Sequence, residues 1–294
     1  MKQINGVSAG IVMLVLAFSI SECSKKYNTS PPNPTPPIVY KTVGLQNNPT
    51  LGSYLIDNKG RALYFFANDA NGFNHCTGDC ALLWNPYTED PLTQDAIDAQ
   101  LNIRDFSNVQ IPGGPIQLTY KGWPLYTYTP SGVSEAVGKI GGDGVAGIWF
   151  VAKPDYSIML GNDQLIGNDG NHYKSDYTMG DGATTYFTDA VGRTLYAFKK
   201  DSANHNKFTK PDFSNDALFP SYDTVSLHFP SILDKSQFTS TDLFGRSQLT
   251  YKGWPLYHAA VDSDNRGNTR AISNGGAGKV WQVMVKDFAP APRP

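Results

Sequence analysis

A chain of 294 residues with 40% hydrophobic and 12% aromatic side chains suits about two domains and is apolar enough to pack them. Its formal charge of −2 and lack of any basic block exclude the footprint of a nucleic-acid binder and attraction to anionic surfaces. The 28 Gly, 20 Pro and 16 Tyr favour turn-rich, strand-rich structure over helical bundles.

The amino terminus is an address. Lys2 opens a short n-region, and Ala9–Ile20 ("AGIVMLVLAFSI") has h-region length, too short for a comfortable membrane span. The run stops at "SECSKK", which resembles a bacterial lipoprotein signal: residues 1–22 are removed and Cys23 carries a covalent lipid. Glu22 departs from the small residue usual before that Cys, and Ser24 in place of Asp favours the outer membrane of a bacterial envelope. The alternative is an ordinary secretory signal with an incidental cysteine. Residues 23–40 then form a tether, with five prolines between Pro31 and Pro37. Such a stretch extends as polyproline II at about 3.1 Å per residue, a reach of roughly 50 Å from the lipid.

Beyond Tyr40 the chain repeats itself. "QLTYKGWPLY" occurs at Gln117–Tyr126 and again at Gln248–Tyr257, 131 positions apart. "GRALYFF" from Gly60 matches "GRTLYAF" from Gly192, and Trp149 matches Trp281, both at an offset of 132. Three landmarks at one spacing mean a tandem duplication, and two copies are too few for a solenoid. The expectation is a mainly β chain with two similar β domains, residues 41–160 and 161–294, built from hairpins. Gly60, Gly122, Gly192 and Gly253 are placed where hairpins need positive φ. By the period of two, Tyr64 and Phe66 share one strand face, as do Tyr196 and Phe198. Helical signal is confined to a short turn near Thr93–Leu101.

These segments carry a resemblance. Tyr64, Phe66 and Asp69 fit Tyr-x-(Phe/Trp/Tyr)-x-x-Asp, and so do Tyr196, Phe198 and Asp201. The second hairpin of each copy departs, with Ser131 in place of the Asp and Ala259 in place of the aromatic. With "CTGDCALLW" and the Gln-x-Thr-Tyr-x-Gly-x-Pro-Leu-Tyr element, the chain resembles a bacterial family of secreted-repeat lipoproteins. That resemblance implies an exported two-repeat protein and no particular activity.

Cys76 and Cys80 in "HCTGDC" are the strongest chemical signal. In an exported chain a disulfide is the first reading; closing a five-residue loop contributes about 2 kcal/mol. The second is a redox or copper site with His75 as a further ligand, since thiolates select Cu(I). The second copy has no cysteine between Phe208 and Phe219, so a function shared by both repeats does not depend on the pair. Asp262–Arg270 ("DSDNRGNTR") is faintly like a calcium loop, but Arg266 stands where an oxygen ligand is needed. "GDGVAG" from Gly142 precedes strand-like sequence, against the strand–turn–helix setting of dinucleotide binding. Trp123 and Trp254, each before a Pro, are candidate aromatics for sugar or peptide contact, with burial as the alternative. No nucleophile-elbow, Walker or zinc-protease motif is present. The expected function is a non-enzymatic binding or accessory module, attached to the membrane through its lipid, with a small-molecule, glycan or envelope-protein ligand. A copper or redox protein and a carbohydrate-active enzyme are the alternatives.

Overall fold

A computed structural model describes residues 40–89, 93–224, 226–274 and 280–294. Cys23, the signal and the proline tether expected from the sequence lie outside these residues.

The first repeat runs β1 (Val43–Asn48), β2 (Gly52–Asp57), β3 (Leu63–Phe66), β4 (Trp84–Pro86), β5 (Phe106–Gln110), β6 (Ile116–Tyr120), β7 (Trp123–Pro124), β8 (Tyr126–Tyr128) and β9 (Trp149–Val151). The second runs β10 (Ile158–Ile166), β11 (His172–Tyr173), β12 (Ala183–Asp189), β13 (Tyr196–Phe198), β14 (Phe238–Leu243), β15 (Arg246–Tyr251), β16 (Trp254–Pro255) and β17 (Trp281–Val283). Pairing is antiparallel throughout these strands: β1–β2, β4–β8–β3–β9 and β5–β6–β7, then β11–β10–β12, β13–β17 and β14–β15–β16. Among the described residues one short helix, α1 (Asp79–Leu83), interrupts this β pattern together with several 3-10 turns, of which Gln94–Ala96 lies in the stretch expected to turn. The chain is mainly β and built from hairpins, as its alternation predicts.

Each repeat enters its signature strand through the same turn. Asp57 Oδ1 accepts the amides of Lys59 (2.9 Å) and Arg61 (2.8 Å), while its Oδ2 accepts Arg61 Nε at 2.7 Å. Asp189 does the same for Val191 (3.0 Å), Arg193 (2.9 Å) and Arg193 Nε (2.7 Å). After the turn, alternation sorts the side chains. Tyr64 and Phe66 enter one core with Trp84, Tyr126 and Trp149, whereas Leu63 and Phe65 enter another with Leu118, Tyr120 and Trp123. Tyr196 and Phe198 likewise separate from Leu195 and Ala197.

The ten duplicated residues occupy equivalent places. Tyr120-Lys121-Gly122-Trp123 is a two-residue hairpin with φ of +49° and +77° at its centre, and Tyr251-Lys252-Gly253-Trp254 has +49° and +83°. Positive φ at both central positions is the turn whose twist matches paired strands. Gln117 and Gln248 are fully buried; each donates Nε2 to a backbone carbonyl, of Leu125 (2.8 Å) and Leu256 (3.0 Å), and accepts from Asn74 (2.6 Å) or Asn206 (2.8 Å). Thr119 and Thr250 meet hydroxyls across the hairpin, Ser107 and Thr239, each at 2.7 Å. Lys121 and Lys252 donate to the carbonyls of Pro154 (2.6 Å) and Lys286 (2.8 Å). Polar residues with assigned partners in a core exchange far less freely than apolar ones. That accounts for identity beyond what volume alone requires.

The described residues belong to one compact unit. The sequence boundary after residue 160 falls inside β10, and Ala67 and Phe150 of the first repeat share a core with Phe187, Leu195 and Leu249 of the second. Arg266 fastens the two. Its Nε donates to Ala70 O (3.0 Å) and its Nη1 to Lys121 O (2.7 Å), with the guanidinium centre 4.8 Å from the Trp123 ring. Burial pushes its pKa down to about 10. The arginine that spoils a calcium loop is the inter-repeat clasp.

Candidate functional site

The signature residues converge in the interior, in pairs. Asp69 ends the 3-10 turn after β3, and its Oδ1 accepts the His75 amide at 2.8 Å. Its Oδ2 accepts the hydroxyl of Tyr126, from the other hairpin, at 2.6 Å. Asp201 repeats this with the Lys207 amide (2.7 Å) and the Tyr257 hydroxyl (2.8 Å). The exchange is reciprocal in the second repeat: Tyr196 donates to Asp262 at 2.7 Å, and Asp262 also accepts the Arg270 amide at 2.8 Å. Each hairpin thus lends a tyrosine to its partner's carboxylate.

In the first repeat the fourth carboxylate is missing, because Ser131 stands in its place. Glu135 supplies it. Tyr64 donates to Glu135 Oε2 at 2.5 Å, and Glu135 Oε1 accepts the Gly141 amide. Neither Glu135 nor the paired glutamines were singled out from the sequence. The glutamines stood inside the quoted repeat and could have been flagged as polar residues at strand-interior positions. Glu135 gave no local signal.

Burial dominates the electrostatics. It raises the carboxyls of Asp201 and Asp262 to about 7 and pushes that of Asp69 up, against the hydrogen bonds that favour ionisation. Burial and the facing carboxylates push the hydroxyls of Tyr64, Tyr126, Tyr196 and Tyr257 far above the phenol range. All four therefore act as donors at any physiological pH. Perturbed acids of this kind also mark catalytic sites, but here the Asp69–Tyr126 pair is sealed, each residue being 0% exposed, and only Glu135, the partner of Tyr64, is half-buried. The network holds the hairpins together.

Cys76 and Cys80 form a disulfide, with Cα atoms 5.2 Å apart, so neither sulfur is a thiolate in this state. His75 turns from the sulfurs toward Asp69, Nδ1 to Oδ1 3.3 Å, and that carboxylate raises its pKa. Cys76 belongs to the core around Phe66, Trp84 and Trp149. The second repeat fills the equivalent place with Phe208, which lies 5.4 Å from Phe198 and 5.0 Å from Trp281, ring to ring. A cystine and a phenyl ring are alternative fillings of one cavity. Among the described residues no group of three or more His, Cys, Asp and Glu side chains could hold a metal ion.

The two candidate ligand aromatics are corrected by their surroundings. Trp123 is 0% exposed and Trp254 is 3% exposed. Each indole N–H is spent on a carbonyl, Ala190 O at 3.0 Å and Ala289 O at 2.7 Å. The proline that follows each Trp ends a two-residue strand folded back over the core, so the ring faces inward and offers nothing to a sugar. No described helix is long and apolar enough to cross a membrane.

Comparison with known proteins adds one positive finding. Residues 47–88, from the end of β1 to the strand residue Trp84 and beyond, match the model of a secreted repeat of unknown function. No curated protein and no solved structure matches the chain. The matched segment holds Tyr64, Phe66, Asp69 and the Cys76–Cys80 bridge, and it is similar to the family that these motifs resemble.

Proposed function

We propose that this protein is a lipid-anchored, non-enzymatic binding or accessory module of the bacterial envelope. Acylation at Cys23 and the tether of residues 23–40 would hold the repeats, 41–160 and 161–294, away from the outer membrane. The observation that carries the reading is the sealing of the signature residues. Asp69, Tyr196 and Asp201 spend their polar atoms on the neighbouring hairpin inside the core, and the buried Tyr64 spends its hydroxyl on the half-buried Glu135, so the repeat is a scaffold. What such a scaffold presents lies in its loops, the usual place for recognition on a rigid frame. A small molecule, a glycan or another envelope protein is the class of ligand proposed.

Two experiments test it. Palmitate labelling with fractionation should give a membrane-bound, labelled protein, and Cys23→Ala should be unlabelled and released. A glycan screen followed by product analysis separates binding from turnover; cleaved products would overturn the non-enzymatic reading.

A further inference from the structure

The segment Ala152–Ser157 joins β9 to β10, and its Lys153 has an unusual setting. It is 6% exposed. Among the described residues no carboxylate lies within 4 Å of its ammonium, and Nζ sits 5.2 Å from the centre of the Tyr156 ring. Asp155, two residues on, pairs with His228 Nδ1 at 3.0 Å, and Asp143 accepts the Val151 amide at 2.8 Å. Burial lowers the Lys153 pKa, and Lys235 lowers it further, with Asp155 and Asp143 opposing. A partly desolvated ammonium with no carboxylate in contact gains by pairing with an anion.

Lys153 lines a cavity of about 470 Å³. Its walls come from the β1–β2 turn, at Leu51, and from the segment Leu227–Lys235 of the other repeat, including Phe229 and Leu233. The second wall is fixed in place. The backbone of His228 is hydrogen-bonded to Ser157, and Phe229 stacks on Phe238 at 4.0 Å. Lys153, Lys235 and His228 give the lining its polar side, and no acidic residue lines it. The volume falls in the range of small-molecule sites, which pair apolar walls with a few placed polar groups. Guanidinium forks and clustered amides, which favour phosphate, are absent from this lining; one compact ammonium suits a monoanion.

We propose that this cavity is a binding site for a small amphipathic carboxylate, whose anionic head pairs with Lys153 while its apolar body lies against Leu51, Phe229 and Leu233. This deepens the binding-module reading by naming a ligand class. The full chain in detergent, titrated calorimetrically with octanoate, should show one saturable site, with octylamine giving none and octanol binding at least tenfold more weakly. Lys153→Met should weaken octanoate at least tenfold and leave the protein folded, and Lys153→Arg should restore most of the affinity. Thr50→Glu, on the exposed rim, should also weaken octanoate and decides the matter if Lys153→Met does not fold. No saturable octanoate binding, equal binding of octanol, or octanoate affinity unmoved by both variants overturns the site. Those failures leave the acylation and glycan experiments above standing, so the two readings fail separately.

Discussion

Gly122→Ala and Gly253→Ala make the same change at duplicated positions, yet they should differ in outcome. Both glycines hold positive φ, +77° and +83°, where an added Cβ costs about 1–2 kcal/mol, offset in part by a less flexible unfolded chain. At Gly253 the new methyl would meet Ala203 atoms at 3.2 Å, a tight contact with little else lost. At Gly122 it would come within 2.0 Å of Arg266 Nη1. The guanidinium can swing away, but it then gives up the charged hydrogen bond to Lys121 O and its seat on Trp123. Those contacts are worth about 1.5–3 and about 1 kcal/mol. Gly122→Ala should therefore destabilise by about 3.5–5 kcal/mol and Gly253→Ala by about 1. For a domain of this size the first lowers Tm by roughly 7–20 °C and the second by roughly 2–4 °C. Denaturant and thermal melts followed by circular dichroism measure both. In an Arg266→Ala background the two glycine variants should converge near 1 kcal/mol. Equal destabilisation of both in the wild-type background would refute the clasp.

Three further outcomes follow from the core network. Asp201 and Asp262 have folded-state pKa values near 7 against about 4 unfolded, so the folded state holds protons that the unfolded state has lost. Their stabilising contribution is complete below about pH 4 and falls by about 1.4 kcal/mol per pH unit for each group up to pH 7; melts should rise in Tm from pH 8 to pH 5, and Asp201→Asn should flatten that rise. Tyr126→Phe and Tyr257→Phe each strand a buried carboxylate oxygen and should cost about 1–3 kcal/mol in urea titrations, whereas Ser131→Ala, whose position is exposed, should cost under about 0.5. Reducing the Cys76–Cys80 bridge, or Cys80→Ser, should remove about 2 kcal/mol and leave the secondary structure intact by circular dichroism.

The sequence made the local features readable. Hairpin turns at Gly122 and Gly253, the opposed faces of Leu63 and Tyr64, and the shared face of Tyr196 and Phe198 all follow from period-two alternation and positive φ, which act between near neighbours. What it hid depends on distance along the chain. Ser131 signalled a broken motif because the replacement, Glu135, reaches the same tyrosine from a different backbone position. Trp123 looked available for a ligand because the carbonyl that takes its N–H, Ala190, belongs to the other repeat. The equivalence of a cystine and Phe208 is a matter of volume, which no residue-type pattern encodes. The Lys153 cavity joins a turn near residue 51 to a segment near residue 230, a closure set by how the repeats pack.

The crossed tyrosines bear on how such a chain could be cut or extended. A single hairpin taken alone holds a phenol without its acceptor and a carboxylate without its donor, as Tyr196 and Asp201 would be without Asp262 and Tyr257. Such a fragment would have to leave both groups to water and forgo its core. A boundary that severs a pair should therefore give insoluble material, and one between the repeats would still open the core that Ala67 and Phe150 share with Phe187, Leu195 and Leu249. A chain of this design lengthens by whole pairs, and the duplication written in its sequence is one such step.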